Sequence, residues 1–149
     1  MFNLWRITLD NRAKLPFMKS NPVGRGMAIM LVATGLGHFV YPRGLDSIVP
    51  RFLPGTPRLW TYLSGIAELI VAGMLLAPLH KYLLDRRVRL LGTYAALALF
   101  IGVYPANINM AIRWSDRPMP APLLAYARLP LQFILFYWAW RLSKKIKRV

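Results

Sequence analysis

Residues 59–78 read LWTYLSGIAELIVAGMLLAP, twenty residues that are nearly all apolar, with one charge, Glu68, near the middle. About 20 such residues are what a helix needs to cross the hydrocarbon core of a bilayer. A carboxylate inside that layer costs about 2.5 kcal/mol or more. Two questions therefore govern the chain: how many such segments it has, and what Glu68 meets.

Four apolar runs stand out, at 26–42, 59–78, 90–112 and 123–142. The first sits at the lower limit of spanning length. Hydrophobic residues make up 56% of the 149, more than a water-soluble domain of this size needs to fill a core, so much of that surface must face lipid. The fold class expected is all-α, an integral membrane four-helix bundle. Charge gives the orientation. Of twenty Lys and Arg residues, fourteen precede the first run, lie between the second and third, or lie at the very end of the fourth or beyond it. Four spans place all fourteen on one side, as the positive-inside rule expects, with both termini cytoplasmic. Three spans would split the basic N-terminus from the basic tail.

The net charge of +15 is thus distributed to meet anionic lipid headgroups on the cytoplasmic side. It does not form a nucleic-acid-reading face, and no nucleic-acid partner is expected. Residues 1–25 read as a basic N-terminal segment, either interfacial or a disordered tail, without the apolar core and cleavage site of a secretory signal. Residues 26–142 form the four-helix domain, and 143–149 a basic cytoplasmic tail that reads as a solvated or lipid-facing charge run. The loop YPRGLDSIVPRFLPGTP carries four prolines and is expected to hold ordered turns and a short helix over 45–49. Small residues four apart (Ala33 and Gly37; Gly73 and Ala77; Ala98, Gly102 and Ala106) are expected to let helices approach closely.

The polar residues within the apolar runs carry the functional reading. Thr61, Ser64 and Glu68 share one face of the second helix, Thr34 and His38 lie one turn apart on the first, and Arg128 and Gln132 one turn apart on the fourth. Asn107 and Asn109 follow Pro105 near the end of the third. Glu68 lies about ten residues into its run, roughly 15 Å at 1.5 Å per residue. Alternating helix directions bring His38, Glu68, Asn107 and Arg128 all to the outer half. The expected candidate pocket is His38, Ser64, Glu68, Asn107, Arg128 and Gln132, with Glu68 paired to Arg128, whose planar fork suits a carboxylate. Three readings stay open: a structural pair fixing helix register, a ligand or proton site, or Arg128 unpaired at the membrane surface beside Pro130.

Other chemistries find little support. There is no Cys, hence no disulfide and no thiol redox step. Of the two histidines, His80 falls at the face opposite His38, and no His/carboxylate cluster has metal spacing, so no metal site is expected. Phosphate-cradling and nucleophile-elbow glycine motifs are absent. A standalone enzyme is not expected.

The stretches GLGHFVYPRGLDSIVPRFLP, YLSGIAELIVAGMLLAP, VYPANINMAI and ARLPLQFILFYWAW, in this order, resemble the DoxX-like small membrane proteins over roughly residues 30–142. The matching positions are His38, Pro50, Leu53, Pro54, Ser64, Gly65, Glu68, Pro105, Ala106, Asn107, Met110, Arg128, Leu129, Pro130 and Gln132. The resemblance implies a four-helix protein of the bacterial cytoplasmic membrane, in a family where some members are similar to membrane subunits of quinone-linked oxidoreductases or sit in redox-stress complexes. Redox proteins are then candidate partners and a quinone a candidate cofactor. The leading expectation is an accessory membrane subunit whose outer pocket takes a quinone or lipid headgroup. The alternatives are a small proton-coupled transporter using Glu68 and a purely structural or assembly protein.

Overall fold

The computed structural model describes residues 22–77, 82–83 and 86–147. These form four long helices, α1 (Pro22–Val40), α3 (Pro57–Leu76), α4 (Val88–Trp114) and α5 (Ala121–Lys147), and one short helix, α2 (Pro42–Asp46). Two-residue strands, β1 (Tyr82–Leu83) and β2 (Arg86–Arg87), pair antiparallel between α3 and α4. The predicted all-α class holds for these residues. The N-terminal segment expected over 1–25 lies outside the described residues up to position 21.

Proline sets several helix starts. Pro22, Pro42 and Pro57 each occupy the first turn, where a fixed φ helps and the missing N–H costs nothing. Thr56 completes the start of α3, its hydroxyl accepting from Leu59 N–H at 3.3 Å. The helix ends follow basic side chains: Arg89 Nε donates to the Ala77 carbonyl at 2.8 Å, just past α3, and Arg87 Nη1 donates to the Ile146 carbonyl in the last turn of α5.

Helices α1, α3 and α4 are each long and apolar enough to cross a membrane, and no more than a third of each such stretch is covered by the rest of the protein. The uncovered remainder includes Ile29, Ile70 and Ile101, each around 60% exposed. Contiguous apolar walls of this extent need lipid rather than water, and the chain is a multi-pass membrane protein. Helix α5 is less apolar, interrupted by Arg128, Pro130 and Gln132 and carrying Arg141, Lys144 and Lys145 in its last turns.

Helix α1 packs chiefly on α3, α3 on α4 and α4 on α5, with a narrower contact between α1 and α5. Helices α3 and α5 are diagonal. The main core joins Met27, Ala28 and Leu31 of α1, Val71, Ala72 and Leu75 of α3, Ala96 and Phe100 of α4, and Leu135, Ala139, Leu142 and Ile146 of α5. A second cluster at the other end unites Ile48, Met110, Ala111 and Ala125.

Glycine permits the tightest crossing. A Cβ on Gly65 would lie 2.7 Å from His38 Cβ and 3.0 Å from the Gly35 carbonyl; one on Gly35 would lie 3.2 Å from the Gly65 carbonyl. Gly92 similarly lets α4 approach the α3 backbone at Met74 and Leu75. These are not the expected packing residues. Gly37, Gly73 and Gly102 have nothing within 4 Å of a built Cβ, and Ala33 and Ala98 are exposed. Spacing of four identifies a stripe but not the direction it faces.

Two further expectations need correction. The short outer helix is Pro42–Asp46 rather than 45–49, because Pro42 starts it. Residues 143–147 are not a free charge run: α5 continues to Lys147, with Leu142, Ser143 and Ile146 buried. Their i, i+1, i+4 spacing buries one helical stripe while Lys144 and Lys145 point away.

Candidate functional site

The tight α1–α3 crossing places His38 beside Glu68. Their closest atoms, His38 Nε2 and Glu68 Oε1, are 3.5 Å apart. That is longer than the 2.7–2.9 Å of a charge-assisted hydrogen bond, so it is a close electrostatic contact. The Glu68 side chain is only 10% exposed, and its Oε2, like His38 Nδ1, is buried with no hydrogen-bond partner. Across the same crossing Phe39 stacks on Tyr62 with ring centroids 5.5 Å apart, closing the flank of α1 and α3.

The expected Glu68–Arg128 ion pair is not formed; His38 is the partner instead. The cause is helix order. Glu68 and Arg128 stand on diagonal helices, whereas α1 touches α3 directly across Gly35 and Gly65. Arg128, on the exposed side of α5, turns to the adjacent helix, its Nε donating to Asn107 Oδ1 on α4 at 3.2 Å.

From Arg128 a row of hydrogen bonds runs through the α4–α5 interface. Asn107 Nδ2 donates to Gln132 Oε1 at 3.2 Å, and Gln132 Nε2 donates to the Phe100 carbonyl at 2.7 Å. Pro105, within α4, removes the helical donor of the Ile101 carbonyl next to it. The Gln132 amide bonds the carbonyl before it, that of Phe100, and not that of Ile101. Asn107 is 3% and Gln132 4% exposed.

Between the pair and the row lies a cleft of about 140 Å³. Glu68, Arg128, Gln132 and Thr34 provide its polar lining; Met30, Leu31, Leu99, Phe100, Leu131 and Leu135 supply most of the apolar wall. The structure therefore gathers five of the six predicted residues around one space: Glu68, Arg128 and Gln132 on its walls, His38 and Asn107 immediately behind them. Ser64 is half-buried one turn from Glu68 and belongs neither to the cleft lining nor to the hydrogen-bonded row.

Sequence reading missed Asp46. Its carboxylate accepts from Thr61 Oγ1 at 2.6 Å and from Arg58 Nε at 2.8 Å, fastening α2 to the first turns of α3. Asn109 adds a second clasp, donating to the Ile48 carbonyl at 2.8 Å. Thr61, expected to share a polar face with Glu68, is committed to this clasp. The signal available in sequence was an acidic residue in a loop whose other charges are basic. A separate open depression, lined by Pro50, Arg51, Phe52, Pro105, Ile108, Asn109, Ile112 and Arg113, lies on that same end of the molecule.

No curated protein and no solved structure matches the chain. The family model described as a domain of unknown function (DUF8561) matches residues 27–143, from the first turns of α1 nearly to the end of α5. With both walls of the cleft inside the matched span, the chain belongs to the DUF8561 family.

Proposed function

We propose that the chain is a four-span, DoxX-like accessory subunit of the bacterial cytoplasmic membrane, both termini cytoplasmic, whose outer-half cleft binds the headgroup of a quinone or a lipid. One observation carries this reading: a cleft of about 140 Å³ that is apolar over most of its wall and presents a carboxylate, a guanidinium and an amide. Small-molecule sites combine an apolar body with a few fixed polar groups in this way. The volume is close to the roughly 150 Å³ of a cavity that accepts one benzene ring. His38 sits behind the wall beside Glu68, and Arg128 is the donor at the wall. The positive-inside distribution supports the orientation, and α5 then serves as the fourth span with its polar residues turned toward the cleft and the interface with α4. Redox proteins are the partners that the DoxX-like resemblance suggests.

The test is purification in mild detergent followed by native mass spectrometry. A bound lipophilic ring compound that is lost in R128A supports the reading; a ligand-free protein, from cells containing quinone, in a fold-competent preparation overturns it. A second reading is favoured by the His38–Glu68 pair, which can hold one proton on either member: a proton-coupled carrier. That reading expects pH-driven uptake of substrate into liposomes to vanish in E68Q. If E68Q changes only the folded yield, and a joint apolar replacement of both residues restores it, the pair is structural.

A further inference from the structure

We infer that the cleft selects its ligand by a hydroxyl group: a ring-sized amphiphile donates an O–H to the Glu68 carboxylate while offering an acceptor to Arg128. This deepens the pocket reading and rests on it. The argument begins with unmet hydrogen-bonding capacity. Glu68 is nine-tenths buried and lines the cleft; its Oε2 is enclosed without a donor, and its Oε1 has only the 3.5 Å contact with His38. A buried acceptor left without a donor costs about 1–3 kcal/mol, more if charged. The nearby amides cannot supply one, because Asn107 Nδ2 is spent on Gln132 and Gln132 Nε2 on the Phe100 carbonyl. Gln132 Oε1 is likewise occupied as an acceptor.

What the cleft leaves open is thus an acceptor at Glu68 and, beyond the Nε held by Asn107, the terminal nitrogens of Arg128, which can only donate. A fitting ligand carries a donor at one end and an acceptor within reach of the other. Its body must be apolar and near one ring in size to suit walls of Leu31, Leu99, Phe100 and Leu135. A phenol or hydroquinone meets all three conditions. An ether, or the carbonyl of an oxidised quinone, would set lone pairs against those of the carboxylate, so within the proposed quinone class the cleft takes the reduced, hydroxyl-bearing form.

The experiment compares two probes matched in ring and chain, 4-heptylphenol and 4-heptylanisole, which differ in the hydroxyl proton. Calorimetric titration into the full chain in phosphatidylcholine nanodiscs, corrected for partitioning into the lipid, gives the two affinities. The phenol is expected to bind at least about tenfold more tightly, the factor that one discriminating hydrogen bond provides. In E68Q the preference should fall below about threefold, since an amide both donates and accepts. An anisole within about twofold of the phenol in the wild type overturns the inference, as does undiminished preference in E68Q. Infrared difference spectra of the wild-type protein guard against a variant that folds poorly: the phenol, not the anisole, should shift a carboxyl stretching band, and no shift overturns the assignment. If neither probe binds, the pocket reading itself fails. With the phenol preference in place, repetition in phosphatidylglycerol identifies the natural source of the hydroxyl. Weakened phenol binding assigns it to a lipid's glycerol headgroup, and unchanged binding to a free ring compound.

Discussion

At the scale of single residues, replacing His38 by Ala strips Glu68 of its only basic neighbour within 4 Å among the described residues. Losing one member of a buried pair costs about 3–5 kcal/mol when the survivor stays charged, whereas replacing both by apolar groups is often neutral or stabilising. The 3.5 Å contact is looser than a hydrogen-bonded ion pair, so H38A should lose about 1–3 kcal/mol in a reversible SDS-unfolding titration. The double variant H38L/E68L should recover most of it; failure to recover would mean the imidazole supports the crossing by packing alone. Gln132→Ala removes the acceptor of the Asn107 amide and the side-chain donor to the Phe100 carbonyl, and should cost about 1–2 kcal/mol in the same assay. Much of this site was legible in sequence, because His38, Glu68, Asn107, Arg128 and Gln132 are polar side chains inside apolar runs, and such residues turn inward. Their pairing was not. Depth along a helix follows from counting residues, but whether Glu68 meets His38 or Arg128 depends on which helices adjoin, and hydropathy carries no information on that. Asp46 was overlooked for a related reason: it fell in an expected short helix over 45–49, and its partners, Arg58 and Thr61, lie in the following helix.

At the scale of elements, α3 provides its own control. Gly65→Ala puts a methyl group 2.7 Å from His38 Cβ and 3.0 Å from a backbone carbonyl, too close for either helix to stay in place. Overpacking of this kind costs about 1–3 kcal/mol, and here it also moves His38 off Glu68. Gly73→Ala, two turns on, meets nothing within 4 Å and should leave stability unchanged or raised by up to about 1 kcal/mol from helix propensity. Thermal unfolding of both variants in one detergent checks the contrast, and equal effects would deny that Gly65 sets the crossing. The existence of each long helix was readable from run length, but their starts were not: the first two runs were expected from 26 and 59, whereas the helices begin at Pro22 and Pro57. What run length hid was how far the helices continue: α5 reaches Lys147 because Ser143 and Ile146 add a buried stripe beneath the lysines, and a one-dimensional average sees only the charge.

At the scale of the whole molecule, three helices qualify as spans by length and apolarity, and the fourth decides the topology. The absence of cysteine makes the decision accessible, since any single introduced thiol is the only one present. With four spans, S115C and K144C should react from opposite sides with a membrane-impermeant maleimide, and F52C from the same side as S115C. Labelling of S115C and K144C from one side would leave α5 lying along the surface and remove the outer-half placement of the cleft. All three positions are exposed, so reactivity reports sidedness rather than burial.

The row from Arg128 to the Phe100 carbonyl points one way: each amide receives a proton on its oxygen side and passes another on from its nitrogen. Turning either amide over would face nitrogen against nitrogen at one end and oxygen against oxygen at the other, so both are locked. An aspartate at 107 could still receive Arg128, but it would oppose the Gln132 oxygen with a negative charge and have no proton to hand on. Substitutions along this line must therefore change together or not at all, and a guanidinium at the rim is coupled to the backbone of a neighbouring helix two amides away.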